Sequence, residues 1–329
     1  MFWRKKKAPA PALPPQMGCF GKLPATGDFV RLNAGGDELA QFDRWLGGSI
    51  DLARRQLGPT FEQAYPSAVG LFIFHGEGQG GEPPARGIVG AWAASGDNAG
   101  RMYPMTVFAS YDYGQLAATG AALPIALWPL LTAAYELVTQ GRGMSPSAFQ
   151  ERVALIAPPA LDDVEAASAG YRAWLATQSM KALWETGFGT EATRYWVVQN
   201  ILASVEPFRG QELPKTGLCL RLPIGAGDAY AVAVWSDLTL RLGRWQKTLL
   251  NAFWTPQRAA VLHIGQPHVG TFRELIAPTR DADHVADLCG VPTVDEASSR
   301  RALGPQLEEL VGRSDLSIAA FLEHVGQLR

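Results

Sequence analysis

The feature that most constrains the fold of this chain is a set of three short apolar runs in close succession. Residues 69–74, 87–94 and 105–110 are rich in Val, Ile, Phe and Ala, and each has the length of a β-strand. Strands joined by short loops pair most simply in the antiparallel direction. The pattern therefore predicts an α+β fold with a mainly antiparallel sheet flanked by helices.

Other segments of the first half supply one more strand and two helices. Residues 17–23 read as a first strand. From Asp37, predicted to be an N-cap, apolar residues recur at helical spacing until Gly58 ends the helix. A second helix is predicted over residues 124–140, with proline in its first turn.

The second half is predicted to contain a helical insert followed by a smaller α/β part. The predicted helices cover residues 145–205, 271–276 and 314–325, and the predicted strands cover residues 213–221, 228–235 and 258–264. Gly225, Ala226 and Gly227 are expected to join two of these strands as a hairpin.

These patterns predict four parts along the chain. Residues 1–16 form a disordered, basic and proline-rich tether, and residues 17–142 form an N-terminal domain. Residues 143–280 hold the helical segment and a second α+β subdomain. Residues 281–329 form a polar C-terminal extension with one amphipathic helix.

Charge and hydropathy disfavour nucleic acid and stable membrane insertion. The formal net charge is -2, which gives no basic face for phosphates. The basic start at residues 1–7 has no apolar region after it, so it reads as a solvated tail, or at most a weak contact with anionic lipid, and not as a secretion signal. The longest apolar stretch, residues 121–134, is shorter than the roughly 20 residues of a membrane span.

Cysteine and histidine usage predicts neither a disulfide framework nor a metal centre. The three cysteines are far apart and form no CxxC pair, which favours a reducing, cytoplasmic setting. His263 and His268 are separated by glycine and proline, so we expect a turn with incidental histidines. We expect no cofactor.

Catalytic motifs are not found in the sequence. No GxSxG elbow, Walker loop or kinase signature occurs. The glycine-rich segment 76–81 precedes a strand, so it lacks the helix N-terminus that would bind phosphate and is expected to be a hairpin loop. The adjacent pairs Asp162-Asp163 and Glu308-Glu309 are expected to be solvated.

Two glycine-containing turns place charged residues next to predicted strands. Gly27 precedes Asp28, and Gly100 precedes Arg101. If the strands are neighbours, we expect Asp28 to pair with Arg101, with Lys22 and Arg31 close by, and to hold the strand ends in register. The alternative is that these charges form a docking patch for a partner protein.

The residues around both turns resemble a known family. Segments 21–24 (GKLP), 27–30 (GDFV) and 42–46 (FDRWL) are similar to the opening of the TagF family, also called ImpM or SciT, of type VI secretion accessory proteins. Asp97, Gly100-Arg101 and Tyr103-Pro104 look like its later signature. The resemblance covers residues 17–140 well and the rest more loosely.

Two segments depart from the family's pattern. Residues 70–74 (GLFIF) stand where the family usually has a Trp-Arg-Phe-like strand, and residues 93–96 (AASG) stand where it tends to have Met-Pro-Ser.

The resemblance implies a cytoplasmic, non-catalytic regulator with a longin- or profilin-like domain. Members are understood to repress type VI secretion post-translationally by binding the forkhead-associated scaffold Fha, so the expected partners are Fha and components of the secretion membrane complex. The family-motif residues expected to serve docking or structure are Lys22, Pro24, Gly27, Asp28, Phe29, Arg31, Asp43, Trp45, Asp97, Gly100, Arg101 and Pro104. No catalytic residue is expected.

Two other function classes stay open at this point. A hydrolase would use Asp28, Lys22 and Arg101 for acid–base chemistry, although neither motif contains a histidine or hydroxyl nucleophile. A small-ligand sensor would use a pocket of the sheet domain.

Overall fold

The computed structural model describes residues 14–78, 80, 82–211, 217–225, 229–245, 248–255, 259–278 and 283–328. The strands are β1 (Gln16–Gly21), β2 (Val30–Leu32), β3 (Val69–His75), β4 (Arg86–Ala93), β5 (Met105–Asp112), β6 (Leu218–Pro223), β7 (Asn251–Trp254), β8 (Ala259–Ile264) and β9 (Val285–Asp287). The helices of the first half are α1 (Asp37–Leu57), α2 (Pro59–Ala64), α3 (Tyr113–Thr119), α4 (Leu123–Ala126), α5 (Trp128–Gln140) and α6 (Pro146–Ala154). Those of the second half are α7 (Val164–Thr177), α8 (Met180–Phe188), α9 (Arg194–Val205), α10 (Ala229–Gly243), α11 (Thr271–Ile276), α12 (Glu296–Leu303), α13 (Pro305–Gly312) and α14 (Ile318–Gln327).

The strands of the described residues form one sheet, in the order β2-β1-β5-β4-β3-β7-β8-β6-β9. Every neighbouring pair is antiparallel except β6 and β9, which are parallel. The predicted α+β class with a mainly antiparallel sheet is therefore confirmed. The longin- or profilin-like likeness stays a prediction.

The sheet is continuous across the two halves of the chain. β3 from the first half pairs with β7 from the second, and Phe72 lies opposite Phe253 in that register. Helices cover both faces, so the central strands are buried on both sides, as their uninterrupted apolar runs require. Strands before and after the predicted boundary at residues 142/143 therefore belong to one sheet.

One face of the sheet is covered by α1 and α11. Helix α1 buries a stripe of one side, namely Leu39, Phe42, Leu46, Ile50 and Ala53, as its spacing predicts. Its N-cap is Gly36, in extended conformation, and Asp37 is already helical, so the predicted Asp37 cap is wrong. The Trp45 indole donates a hydrogen bond to the His268 carbonyl (3.1 Å), which ties α1 to the second half.

One predicted strand is a helix. Residues 228–235 were expected to be extended, but α10 begins at Ala229 and runs to Gly243, and the linking glycine segment lies partly outside the described residues. Most of α10 is buried, including Val232, Trp235 and Leu238. A helix that is apolar on almost every side has no 3.6-residue pattern, so the run is indistinguishable from a buried strand.

Several predicted helices are correct in type but interrupted. The helix expected at 124–140 is split at Leu127 into α4 and α5, because each part begins with proline in its first turn. The helical region 145–205 is resolved into α6 to α9. In the part of the chain that the structure describes, no single helix is long and apolar enough to cross a membrane. One pair of helical segments, Tyr113–Ala126 and Trp128–Gly143, is long and apolar enough when the two are taken together, but they are bent by 62° at the break between them.

We predict that Phe253→Ala strongly destabilises the fold. Phe253 is fully buried and its ring lies 4.6 Å from Trp45 and 6.4 Å from Phe72, measured between centroids. Removing it leaves a cavity at the junction of the halves, and the free energy of unfolding should fall by about 3–5 kcal/mol in urea titrations. The control is Leu155→Ala at a side chain 79% exposed, which should change it by less than about 0.5 kcal/mol. Equal losses in both variants would contradict the packing described.

Candidate functional site

The centre of the site is the Asp97 carboxylate, held in a tight loop after β4. Backbone bonds close the loop, since Asp97 N–H donates to the Arg101 carbonyl (3.1 Å) and Gly100 N–H to the Asp97 carbonyl (3.0 Å). Gly100 has φ +80°, a left-handed conformation that glycine adopts without strain. Asp97 Oδ1 accepts hydrogen bonds from the Ala99 N–H (3.0 Å) and the Arg101 N–H (2.8 Å).

Two cations bind the other oxygen of the same carboxylate. Asp97 Oδ2 lies 2.6 Å from Lys22 Nζ and 2.6 Å from Arg101 Nε. The Asp97 carboxylate is fully buried and Lys22 nearly so, whereas the Arg101 side chain is 65% exposed. The hydrogen bond from Lys22, assisted by those from Arg101 and Ala99, lowers the pKa of Asp97 well below its usual value although burial opposes the shift.

The partner of Arg101 differs from the one predicted. Among the described residues Asp28 forms no ion pair with Arg101; Asp28 is exposed, and its backbone N–H donates to Thr26 Oγ1 (3.2 Å). Arg101 instead bonds Asp97 and, through Nη2, the Gly27 carbonyl (2.7 Å). The predicted Asp28–Arg101 pair is therefore wrong, because Asp97 and not Asp28 has its carboxylate directed into the junction of the two turns.

The two motif loops are joined by backbone as well as side-chain bonds. Lys22 Nζ also contacts the Gly27 carbonyl (3.4 Å), and the Asn98 N–H donates to the Thr26 carbonyl (3.2 Å). Gly21, which ends β1, has φ +148°, and a Cβ there would lie 2.1 Å from the Pro104 carbonyl oxygen. Glycine at this position lets the first strand approach the second motif closely.

An aromatic cluster lies beside these bonds. Phe20 and Phe29 are stacked with ring centroids 5.0 Å apart, and Tyr103 meets Phe29 edge-on at 5.1 Å. Two cations lie over these rings: Lys22 Nζ is 4.5 Å from the Phe29 centroid, and the Arg31 guanidinium carbon is 5.2 Å from that of Phe20. The exposed Arg31 is thus held against a rigid aromatic base.

A hydrogen bond connects this cluster to α1. The Tyr103 hydroxyl donates to Asp43 Oδ1, and burial together with this bond raises the pKa of Tyr103. Asp43 and Trp45 lie on the same helix, and Trp45 reaches the second half of the chain at His268. The motif residues Asp43 and Trp45 therefore link the site to the rest of the sheet.

The structure brings most of the predicted motif residues together. Lys22, Asp97 and Pro104 are buried; Gly27, Phe29, Asp43 and Trp45 are half-buried; Pro24, Asp28, Arg31, Gly100 and Arg101 are exposed. Phe20 and Tyr103 are not among the predicted site residues. Tyr103 is part of the Tyr103-Pro104 signature, and Phe20 directly precedes the Gly21-Lys22 motif, so their positions carried a signal.

His263 and His268 lie in different elements, a strand and the turn after it. His263 belongs to β8 and is fully buried, with Nε2 3.1 Å from Thr271 Oγ1, and burial lowers its pKa to about 3. His268 lies in the following turn, where its Nδ1 accepts a hydrogen bond from the Gly270 N–H (3.0 Å). Within the described ranges no three His, Cys, Asp or Glu side chains are grouped so as to hold a metal ion.

Comparisons with known proteins identify the N-terminal part. Residues 18–156 match the model of the TagF N-terminal domain, described as type VI secretion system-associated. No curated protein matches the chain. Three chains of solved structures match, among them the crystal structure of PA0076 from Pseudomonas aeruginosa PAO1. The two chains are 16% identical in sequence, and their structural alignment covers 81% of this chain and 96% of PA0076 with a TM-score of 0.45.

We predict that Asp97→Asn destabilises the protein in a pH-dependent way. Because the folded-state pKa of Asp97 lies below its unfolded value, which is about 3.9, the ionised carboxylate stabilises the fold at neutral pH and loses this effect as the pH falls below that unfolded value. The difference in thermal midpoint between wild type and Asp97→Asn should be large at neutral pH and shrink on acidification.

The matched control is Asp28→Asn, which alters the exposed aspartate of the neighbouring loop. Its thermal midpoint should follow that of the wild type throughout the titration. A pH-dependent decrease of the thermal midpoint in Asp28→Asn, with no such decrease in Asp97→Asn, would contradict the assignment of Asp97 as the carboxylate that joins the loops.

We predict that Arg101→Ala lowers the yield of folded protein and the thermal midpoint, and that its effect on the affinity for a partner protein is smaller. The side chain bonds both Asp97 and the Gly27 carbonyl, so its loss loosens both loops. Lys22→Met should be more destabilising, because Lys22 is almost fully buried against the same carboxylate. An unchanged thermal midpoint in Arg101→Ala, accompanied by loss of partner binding, would identify Arg101 as a contact residue instead.

Proposed function

We propose that this chain is a non-catalytic, post-translational repressor of type VI secretion. The proposal starts from its family: residues 18–156 match the TagF N-terminal domain, and the chain belongs to this family of type VI secretion-associated proteins. It acts by binding protein partners, first the forkhead-associated scaffold Fha and with it components of the membrane complex. It works in the cytoplasm and reaches the inner membrane through these partners.

The observation that carries this proposal is the way the site presents Phe29 and Arg31. We call these two residues the docking surface. The buried Lys22–Asp97 pair and the stacked Phe20 ring lie beneath it. Arginines and aromatic side chains on a rigid base are the residue types that contribute most to protein–protein binding energy.

Arg31 is the residue of this surface best placed to bind a partner. Its side chain has no hydrogen-bond or ion-pair partner within the described part of the chain, while its guanidinium lies over the Phe20 and Phe29 rings, 5.2 and 5.6 Å from their centroids. The contact with the rings restrains the side chain and leaves its N–H donors for a carboxylate of another protein.

The bonding of Asp97 disfavours a catalytic role for this site. Both oxygens of the carboxylate accept hydrogen bonds, two on each atom, and its pKa is lowered. A general acid–base group needs a pKa near the working pH and a free oxygen directed at a substrate. Asp97 has neither property, so a structural role for this carboxylate supports a binding function.

The proposal is tested by co-purification and by secretion assays. Tagged wild type should retain Fha, and its overproduction should lower type VI secretion. Arg31→Glu should lose both effects at an unchanged thermal midpoint, because it reverses the charge of an exposed side chain. The control is Arg301→Glu, an exposed arginine on α12, which should behave as wild type. If the wild type retains no secretion component and overproduction leaves secretion unchanged, the proposed function is wrong.

A further inference from the structure

A concave site lies among the helices that cover the other face of the sheet. It is a cavity of about 550 Å³ between the end of α3 with the turn after it (residues 117–122), α7 and α10. Residues 117–122 belong to the TagF N-terminal domain, whereas α7 and α10 lie beyond it. A volume of this size accommodates a small organic molecule.

Three arginines line this cavity: Arg172 on α7, Arg241 on α10 and Arg244 in the turn after α10. Among the described residues the lining holds one carboxylate, Asp237. Its Oδ1 accepts a hydrogen bond from Arg241 Nε (2.6 Å) and its Oδ2 accepts one from the Tyr171 hydroxyl (3.1 Å). The C-terminal ends of α3, α10 and α14 each contribute roughly half a negative charge, since Gly326 of α14 also lines the cavity. Against these and Asp237, the three arginine charges leave the described lining with a small positive excess.

Two of the arginines keep unused hydrogen-bond donors. Arg244 donates from Nη2 to the Leu328 carbonyl (3.1 Å), and its Nε and Nη1 have no partner among the described residues. Arg172 contacts Glu165 (2.8 Å), a side chain 84% exposed, and such a pair adds little because water screens it. The charge of Arg244, together with burial as the larger cause, lowers the pKa of the neighbouring Arg209.

The remaining walls are apolar or carry hydroxyl groups. Ala118, Ala121 and Leu240 form an apolar side, and Ser168 adds a hydroxyl near Arg172 on the same helix. A ligand that fits this lining has an anionic group with several acceptor oxygens at the arginines and a compact apolar part against the alanines. Phosphate esters of small molecules have this composition, and guanidinium groups recognise phosphate oxygens through paired N–H donors.

We propose that this cavity is a binding site for a phosphorylated small molecule, held by Arg172, Arg241 and Arg244. The site is separate from the docking surface and goes beyond the proposed function. Since the bound anion contacts both α7 and α10 beside the N-terminal domain, it stabilises the packing of these parts of the chain.

Calorimetric titration of the full chain with inorganic pyrophosphate tests the proposal. Wild type should bind, and added salt should weaken the binding. Arg172→Gln and Arg244→Gln should each weaken it by about tenfold or more, because each removes a charge-assisted pair. Arg172 is half exposed, so its variant keeps the fold even if Arg244→Gln does not.

Two further variants separate the cavity from general electrostatics. Ala118→Leu fills the apolar side at an exposed helical position without changing the charge, and it should weaken binding of phenyl phosphate, a phosphate ester with an apolar part. The matched control is Arg300→Gln on α12, which removes one positive charge elsewhere and should leave the affinity unchanged. Four results would each overturn the proposal: no pyrophosphate binding by wild type, wild-type affinity for pyrophosphate in Arg172→Gln, wild-type affinity for phenyl phosphate in Ala118→Leu, or a loss in Arg300→Gln as large as that in Arg172→Gln. None of these outcomes depends on Fha.

Discussion

The buried ion pair between Lys22 and Asp97 is the interaction on which the rest of the site depends. It joins the segment after β1 to the loop after β4, two parts of the chain separated by 75 residues. A buried carboxylate is tolerated only when charges and N–H donors surround it, and Asp97 has four such contacts. These bonds determine where the backbone of both loops runs, and hence where Phe29 and Arg31 project.

The sheet and α1 extend this local arrangement through the molecule. Tyr103 binds Asp43 at one point of α1, and Trp45 of the same helix reaches the His268 carbonyl in the second half. The pairing of β3 with β7 makes a second, independent connection. The docking surface therefore rests on a body that includes strands from both halves, which explains why residues from distant segments position it.

The two proposed sites are on opposite faces of the sheet. Phe20 and Tyr103 pack with the aromatic layer beneath α1 and α11, while Leu175 and Trp245, at the arginine cavity, belong to the helical core on the other side. A partner at the docking surface and an anion in the cavity do not compete for space. Any effect of one on the other has to pass through the shared strands and helices.

The sequence by itself determined the antiparallel sheet, the amphipathic stripe of α1 and the motifs that match the TagF N-terminal domain. These depend on local patterns of apolar residues, glycine and charge. Only the tertiary structure decided that α10 is helical, since a helix buried on almost all sides has no periodic pattern. It also decided which carboxylate binds Arg101: Asp28 and Asp97 both lie next to glycine turns, and only the three-dimensional approach of the two loops buries Asp97 against Lys22.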